Sequence, residues 1–259
     1  MILGIHSDLN ACCSGHITGH SAGETVLAFP ENFTAEAAAL GAETNKTSGG
    51  FETAAYFITD AAALASLPCL AGTDTIRLVL EQIRSAPKDK TLLLKVSGPY
   101  SVLASLSSPK LFYRWCLKER NALHAALKNV TEGLAAYICR AVKAGIRIVS
   151  LADPYANIDI LGEKHYREFA ADYLFLLIKE LSAGMETVEE ESVLLHICPH
   201  SSIPMVRGGY FESENVPVLH GEYIAVLARR SGFRPGLTIL GNRCIYSTNT
   251  GSIDILNIR

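Results

Sequence analysis

Short apolar runs alternate along the chain with longer stretches whose apolar residues recur at helical spacing. Strand-like runs are found at Thr91–Val96, Gly145–Leu151, Ser192–Cys198, Val216–Leu219 and Leu237–Leu240. The helical patterns lie at about 109–144, Lys164–Leu181 and Glu222–Ser231. This alternation of two periodicities predicts strands that are separated by helices, which is typical of an α/β protein.

Near-continuous apolar strands indicate a parallel sheet that is covered by helices on both faces. Right-handed crossovers then leave two architectures, a closed barrel or an open doubly wound sheet. No Gly-x-Gly-x-x-Gly turn or phosphate loop follows any of these strands, which disfavours the nucleotide-binding version. The 259 residues are close to the roughly 250 of a (β/α)₈ barrel. We therefore predict a TIM (β/α)₈ barrel as a single domain over 1–259, of which about six or seven strands can be read from the pattern.

Polar residues gather directly after the predicted strand ends. They include Ser97-Gly98-Pro99, Asp153-Pro154, His196-x-Cys198, His220 and Asn242-Arg243-Cys244. In such barrels the catalytic residues come from the C-terminal ends of several different strands. The recurrence of polar side chains at this one structural position therefore predicts a single site at the barrel mouth.

His196 and Cys198 are two residues apart on a predicted strand, so their side chains should project to the same face. Cys244 follows the next-but-one strand, and the carboxyl ends of parallel strands meet at one edge of the sheet. One imidazole and two thiolates suit Zn²⁺ and leave a fourth position open, as in catalytic rather than structural zinc sites. The alternative is that both thiols are small buried hydrophobic groups and that His196 is a hydrogen-bonded core histidine.

Composition narrows the possible partners and the compartment. Hydrophobic residues make up 49% and charged residues 19%, with a net charge of −3, which disfavours nucleic acid as a partner. The longest apolar runs have strand length, so we expect no membrane span. The seven cysteines are odd in number and scattered, which argues against a disulfide framework. Because no signal-peptide pattern is seen at the start, we expect a cytoplasmic protein with reduced thiols.

Two motifs near the N-terminus suggest other chemistry. Gly19-His-Ser21-Ala-Gly23 matches the Gly-x-Ser-x-Gly elbow of serine hydrolases, but a strand-like run follows it where a helix is required. Cys12-Cys13-x-x-His16-x-x-x-His20 could bind a metal, but its glycines disfavour the helix that would align the histidines. We expect this segment to form a loop near the barrel mouth.

The chain resembles the uroporphyrinogen decarboxylase superfamily and, within it, the zinc-dependent methylcobamide:thiol methyltransferases. The likeness runs from about residue 30 to the C-terminus. Its matching stretches are Phe33–Glu43 (FTAEAAALGAE), Lys95–Ala104 (KVSGPYSVLA), Ala144–Pro154 (AGIRIVSLADP), Leu195–Cys198 (LHIC) and Gly241–Cys244 (GNRC). The His-x-Cys with a distant Cys is the part that is specific to the methyltransferases.

The resemblance implies a TIM barrel in which His196, Cys198 and Cys244 bind zinc. It also implies methyl transfer from a methylcobamide, usually carried on a separate corrinoid protein, to a small-molecule thiol such as coenzyme M. The zinc would activate the acceptor thiol. Asp153 would orient a ligand or hydrogen-bond His196, or alternatively cap the turn before Pro154.

Departures from the family pattern leave other functions open. The chain is shorter than its apparent relatives, 1–30 match poorly, and the Arg-rich N-terminal motif of the decarboxylases is absent. No cationic residue precedes Lys46 to clamp a polycarboxylate substrate, so we do not expect decarboxylation. The alternatives are a non-catalytic barrel that binds a corrinoid, a tetrapyrrole or a partner protein, and a homocysteine methyltransferase of the cobalamin-independent methionine synthase type.

Further residues are candidates for roles around the predicted zinc. His220 and Glu222 are weak candidates for a fourth ligand, which could also be water. Arg243 and Arg207 could bind an anionic acceptor, although a solvated surface arginine is the favoured interpretation for each.

Overall fold

A computed structural model describes residues 26–30, 34–47, 50–185, 192–229 and 233–259, and gives side-chain surroundings for all of these except 44–55. The N-terminal motifs around Cys12, Cys13, His16, His20 and Ser21 lie outside the described residues. Their predicted roles therefore stay predictions.

The described strands form one large sheet and one hairpin. In chain order they are β1 (Val26–Phe29), β2 (Glu43–Thr47), β3 (Gly50–Ala55), β4 (Thr91–Ser97), β5 (Ile148–Ala152), β6 (Ser192–Ile197), β7 (Phe211–Gly221), β8 (Gly236–Gly241) and β9 (Thr250–Ile258). The large sheet has the order β1-β4-β5-β6-β8-β9-β7, while β2 and β3 pair with each other. Strands β1, β4, β5, β6 and β8 are parallel, whereas β9 and β7 run antiparallel to their neighbours.

The predicted α/β architecture with a mostly parallel sheet is thereby confirmed. The run Val216–Leu219, which we expected as a short strand between helices, belongs to the long antiparallel strand β7. Its partner β9 was not anticipated from the sequence. These two strands contain many exposed and half-buried residues, whereas the central strands are almost entirely buried. This difference is expected where only one face of a sheet is covered.

Helices cover the outer face of the sheet. In chain order they are α1 (Ala35–Ala39), α2 (Asp74–Ser85), α3 (Pro99–Ala104), α4 (Pro109–Lys118), α5 (Arg120–Ala144), α6 (Ile158–Tyr166), α7 (Asp172–Met185), α8 (Pro199–Arg207) and α9 (Tyr223–Arg229). The predicted helix over 109–144 is in fact two helices, because the backbone leaves helical geometry at Glu119. The predicted helix Lys164–Leu181 is longer and contains a π-helical turn at Arg167–Ala171.

Helix α9 takes a different position from the others. It contacts both edge strands, β1 and β7, and its side chains Tyr223, Ile224 and Leu227 belong to the inner apolar cluster. In the part of the chain that the structure describes, no hydrogen-bonded ladder links β1 to β7. Helix α9 therefore packs between the two edges where a closed barrel would continue its strand pairing.

The inner face of the sheet is apolar at its base. Residues that pair in register on neighbouring strands share one face, as do residues two apart on a strand. The register Leu93–Ile148–Leu194 crosses β4, β5 and β6, and all three side chains belong to the inner cluster. These side chains form an apolar layer inside the sheet, and the polar residues lie next to it, nearer the carboxyl ends of the strands.

The next level towards the carboxyl ends of the strands is polar. It consists of Lys95, Ser150 and His196, which pair in the register Lys95–Ser150–His196 and are all buried. Beyond it, Ser97 pairs with Ala152. The carboxyl end of the sheet thus carries polar side chains in an interior that is otherwise apolar, which is where the sequence predicted a site.

Candidate functional site

His196 is fixed at the carboxyl end of β6 by contacts on both ring nitrogens. Its Nδ1 lies 3.0 Å from the hydroxyl oxygen of Ser150 on the neighbouring strand. Its Nε2 lies 2.8 Å from the backbone oxygen of Arg243 in the loop between β8 and β9. The Tyr223 ring packs edge-on against the imidazole with 5.8 Å between centroids. The imidazole is therefore held in a single orientation.

These partners define the proton on the ring. A carbonyl oxygen can only accept, so Nε2 carries the hydrogen and donates to Arg243, while Nδ1 accepts from the Ser150 hydroxyl. Burial lowers the pKa of His196 to about 4, although the Arg243 carbonyl opposes this shift. The imidazole is therefore neutral at pH 7, the form in which a histidine binds a metal.

Cys198 ends the same segment as His196. It is the residue before helix α8, its N–H donates to Leu151 O at 2.9 Å, and its carbonyl accepts from the N–H groups of Ser201 and Ser202. Its side chain is buried against Ala152. Because Ala152 is two residues beyond Ser150, the partner of His196, the contacts agree with a projection of His196 and Cys198 to the same side.

Cys244 lies in the loop that follows β8. The loop begins with Asn242 in the left-handed region at φ 59°, and the Asn242 N–H donates to Ser202 Oγ at 2.7 Å. The next residue, Arg243, provides the carbonyl that binds His196. Helix α8 and strand β6 thus both hold this loop, and the half-buried Cys244 is adjacent in sequence to the contact with His196.

The donor set fits a zinc ion, and the three residues remain predicted ligands. Among the residues that the structure describes, no three His, Cys, Asp or Glu side chains are grouped closely enough to hold a metal ion. However, His196 Nε2 is directed at the backbone of the residue before Cys244. Zinc on Nε2 would take the place of the Arg243 carbonyl, and Nδ1–H would then donate to Ser150, the arrangement that metal-bound histidines require.

The hydrogen-bond partner of Asp153 is Ser101 rather than His196, and its role at the site stays a prediction. Its Oδ1 accepts from the backbone N–H of Ser101 at 2.7 Å, in the first turn of helix α3, and its Oδ2 is buried without a hydrogen-bond partner. Burial raises the pKa of Asp153 to about 6, while contacts with Ser101 and the Tyr100 amide oppose the rise. The carboxylate therefore binds one of the free N–H groups at the start of α3.

Asp153 also explains why Gly98 has no side chain. A Cβ at Gly98 would lie 2.6 Å from Asp153 Cβ, well inside contact distance. We expect Gly98→Ala to destabilise the protein by about 2 kcal/mol, the usual cost of overpacking a core. Urea unfolding of Gly98→Ala beside Gly72→Ala measures this, because a Cβ at Gly72 meets nothing within 4 Å. Equal midpoints for the two variants would contradict the close approach of Asp153.

The other predicted residues differ in their surroundings. The Arg243 guanidinium donates to Ser252 Oγ at 3.0 Å, and its buried Nε has no hydrogen-bond partner. Arg207 is exposed at the end of α8. His220 is exposed and packs against Gly251 on the neighbouring strand, and Glu222 is half-buried. Within the described part of the chain, His196 hydrogen-bonds Ser150 and Arg243 rather than His220 or Glu222.

Three polar residues of the interior were not found from the sequence. Ser150 is the partner of His196, and Lys95 is a cation in the same register row. Glu36 on α1 is fully buried, neither of its carboxyl oxygens has a hydrogen-bond partner, and burial raises its pKa to about 7. A lysine inside the apolar run Thr91–Val96 was a visible signal for Lys95.

The sequence was compared with known families and proteins. The profile of the family described as uroporphyrinogen decarboxylase (URO-D) matches residues 26–211, which is more than half of the chain. The chain is 29% identical over 125 residues to methylcobamide:CoM methyltransferase MtaA of Methanosarcina barkeri, covering 48% of this chain and 34% of that protein. It is 27% identical over 128 residues to methylated-thiol–coenzyme M methyltransferase of Methanosarcina mazei, covering 48% and 33%.

A solved methyltransferase from Methanosarcina mazei has the same fold, with a TM-score of 0.57 and 24% identity over 78% of this chain and 60% of that one. The chain spans about a third of the length of the curated relatives it matches. Within the described residues, no helix is long and apolar enough to cross a membrane.

Proposed function

The chain belongs to the uroporphyrinogen decarboxylase family, and from this premise we propose that it transfers a methyl group from a methylated corrinoid to a small-molecule thiol. The relatives named above are methyltransferases that use methylcobamide or methylated thiols with coenzyme M. In the proposed reaction the thiol loses its proton to solvent and its sulfur bonds the methyl carbon as the cobalt–carbon bond breaks, with the electron pair of that bond staying on the departing corrinoid. The donor would be carried on a corrinoid protein.

One observation supports this function above the others. The neutral imidazole of His196 lies at the carboxyl end of β6, which Cys198 directly follows, and is directed at the loop that carries Cys244. A core histidine in an apolar interior needs only hydrogen-bond partners, but here one cysteine directly follows the strand of His196 and another directly follows the residue whose carbonyl binds the ring. We infer that His196, Cys198 and Cys244 hold zinc, which when bound makes a thiol nucleophilic near neutral pH.

The residues around His196 fix the orientation of its ring and its protonation state. Ser150 holds the ring of His196 from one side and Tyr223 packs against its plane. Burial keeps the imidazole neutral, so binding a metal at Nε2 would require the ring hydrogen to move to Nδ1 but no net loss of a proton from the ring. Helix α9 and the inner apolar cluster exclude water beneath this level, which strengthens electrostatic interactions at the site.

Asp153 has a proposed positioning role rather than a direct one. Its carboxylate holds the start of α3, and α3 follows the carboxyl end of β4. Loss of that contact would displace the strand ends that surround the site. We therefore place Asp153 among the groups that maintain the geometry of the mouth.

The test is zinc content together with methyl transfer in the same preparations. The parent is expected to bind about one equivalent of zinc and to demethylate methylcobalamin in the presence of a thiol, as a (Cys)₂His site with one open position would. Cys198→Ser and Cys244→Ser should lose both properties. Cys139→Ser is the matched control, because Cys139 is a half-buried thiol on the outer helix α5.

Each alternative has its own outcome. A folded parent that binds no zinc when loaded with excess metal would contradict the ligand assignment. Zinc binding and corrinoid binding without methyl transfer would instead favour the non-catalytic barrel. Transfer to homocysteine without a corrinoid donor, from a methylated folate, would favour the methionine synthase type.

A further inference from the structure

Helix α4 (Pro109–Lys118) is buried on one side and exposed on the other. Its buried side chains are Phe112, Trp115 and Cys116, which belong to the outer apolar core. The exposed side chains recur at intervals of three and four residues, so they form a single face of the helix. They are Lys110, Tyr113, Arg114, Leu117 and Lys118, and we call this set the α4 face.

The α4 face is positively charged in a chain that is slightly acidic. Three of its five residues are cations, and 109–118 contains no aspartate or glutamate, whereas the whole chain has 26 acidic residues and 23 lysines and arginines. Among the described residues, the surface salt bridges are formed by cations other than Lys110, Arg114 and Lys118. These three cations are therefore not paired with a carboxylate of the described chain.

The α4 face also exposes apolar surface. Leu117 is 57% exposed and Tyr113 is 38% exposed, and they are one helical turn apart. The Tyr113 hydroxyl donates to Ile160 O at 2.7 Å, which places Ile160, also exposed, at the edge of the α4 face. Aromatic and arginine side chains are enriched at the centres of protein–protein interfaces. The composition of this face is therefore typical of a surface that binds another protein.

Packing places the α4 face at the same end of the sheet as the candidate site. Helix α3 starts directly after the carboxyl end of β4, and its Tyr100 packs edge-on against Phe112 of α4 with 5.1 Å between ring centroids. Ile160, which accepts from Tyr113, lies in α6, the helix that follows the carboxyl end of β5. The carboxyl ends of parallel strands share one edge of the sheet, so α4 lies on the rim around the strand ends near His196.

The rim beside Cys198 has a similar character. Helix α8 directly follows Cys198 and exposes His200, Ile203 and Arg207 at intervals of three and four residues. It contains no acidic residue. A protein that approaches the site from the carboxyl end of the sheet would therefore meet cations on two of the helices that surround it.

We propose that the α4 face is the docking surface for an acidic face of the protein that carries the methylated corrinoid; this rests on the proposed function. The methyl group has to be delivered at the carboxyl end of the sheet, where His196 and Cys198 lie. A partner with carboxylates opposite the three cations of the α4 face would be steered to this end and held in one orientation. The exposed apolar side chains between the cations would be covered in the complex.

The composition of the α4 face favours a protein over a membrane or a nucleic acid. A helix that lies in a membrane surface buries a broad apolar face in the lipid. The broad apolar face of α4 is already packed against the rest of the chain through Phe112 and Trp115. Binding to nucleic acid rests on many phosphate contacts, to which an exposed leucine contributes nothing. Cations around a small apolar centre instead match the polar rim and apolar core of a protein interface.

The test compares a protein-bound methyl donor with a free one. The donors are the corrinoid proteins of the same organism, each purified and methylated, and free methylcobalamin, with 2-mercaptoethanol as the acceptor. For the corrinoid protein that serves the parent, Arg114→Glu/Lys118→Glu should lower kcat/KM at least tenfold at low salt, because attraction becomes repulsion. Transfer from free methylcobalamin should stay unchanged, which also shows that the variant folds. In the parent, kcat/KM with the protein donor should fall as salt screens the charges.

Arg84→Glu/Lys88→Glu is the matched control. It changes the net charge by the same amount, and both residues are exposed just before β4 begins, at the opposite end of the sheet. The control should transfer the methyl group from both donors as the parent does. An unchanged kcat/KM with the protein donor in the α4 variant, or an equal loss in the control, would overturn the proposal. Binding of the α4 face to phosphatidylserine vesicles, without binding to any of the corrinoid proteins, would assign it to a membrane and overturn the proposal as well.

Two outcomes separate the docking surface from the proposed function. A parent that binds a methylated corrinoid protein through the α4 face, measured by calorimetry, but methylates the thiol from neither donor would contradict methyl transfer and leave the docking surface standing. A parent that methylates the thiol from free methylcobalamin but binds none of the corrinoid proteins would contradict the docking surface and leave methyl transfer standing.

Discussion

Raising the pH from 5 to 8 is expected to lower the free energy of unfolding of the parent by about 2 to 3 kcal/mol more than that of the Glu36→Gln variant. Glu36 is fully buried, and burial raises its pKa from 4.5 to about 7. Its own amide and polar groups of Ser97 oppose the rise only in part. Burial and, to a smaller extent, the nearby Glu36 raise the pKa of Tyr137, whose hydroxyl is also buried without a hydrogen-bond partner.

The direction follows from proton binding. Between pH 4.5 and 7 the folded state keeps the Glu36 proton that the unfolded state has lost, so stability falls as pH rises. His196 acts in the opposite direction, because its pKa is lowered to about 4 and the unfolded state gains protons first as pH falls. Asp153, with its pKa raised to about 6, acts like Glu36. Both contributions are common to parent and variant and cancel in the difference.

Urea unfolding at intervals across this pH range measures the effect. Glu132→Gln is the control, because Glu132 is exposed on α5 and its replacement should leave the pH profile of the parent unchanged. Parallel profiles for the parent and Glu36→Gln would show that Glu36 is ionised in the folded protein at neutral pH. Burial of the Glu36 carboxyl would then not have raised its pKa.

The central strands could be predicted because each is a continuous apolar run that ends in polar residues. Strands β4, β5 and β6 are buried on both faces, so the sequence that forms them is mostly apolar. This composition is visible in Thr91–Val96, Gly145–Leu151 and Ser192–Cys198. The antiparallel pair β7 and β9 could not be predicted in the same way. Most of its residues are exposed or half-buried, so the local composition does not predict the pairing of the two strands.

The candidate site was predicted in part, for a related reason. His196, Cys198 and Cys244 were predicted because their residue types bind metals, and their role as zinc ligands stays a prediction. The described contact is between the His196 ring and the carbonyl of Arg243, the residue before Cys244. Ser150 was not found, because a serine in a strand has no distinctive chemistry until register places it beside a histidine. Asp153 was assigned to His196 from sequence adjacency to a strand end, yet its carboxylate turns to the N-terminus of α3.

The second large effect is expected at Ser150. Ser150→Ala should weaken zinc binding about 10- to 100-fold, the usual cost of removing a group that orients a metal-bound histidine. With zinc on Nε2, the Nδ1–H of His196 would donate to the Ser150 hydroxyl, which lies 3.0 Å away. Alanine leaves this N–H buried and without its partner, so the imidazole both loses its fixed orientation and becomes a weaker ligand.

Competition between the protein and a chelator of known affinity measures this change. Ser182→Ala is the matched control, because the Ser182 hydroxyl only donates to Ile178 O within helix α7. Unchanged zinc affinity in Ser150→Ala, with loss of zinc in Cys198→Ser and Cys244→Ser, would mean that the two thiols bind the metal without His196. Zinc affinity that falls in Ser150→Ala but not in Ser182→Ala would instead show that His196 binds the metal. Ser150 is not a predicted ligand, so its hydroxyl would affect zinc affinity through its hydrogen bond to the ring of His196.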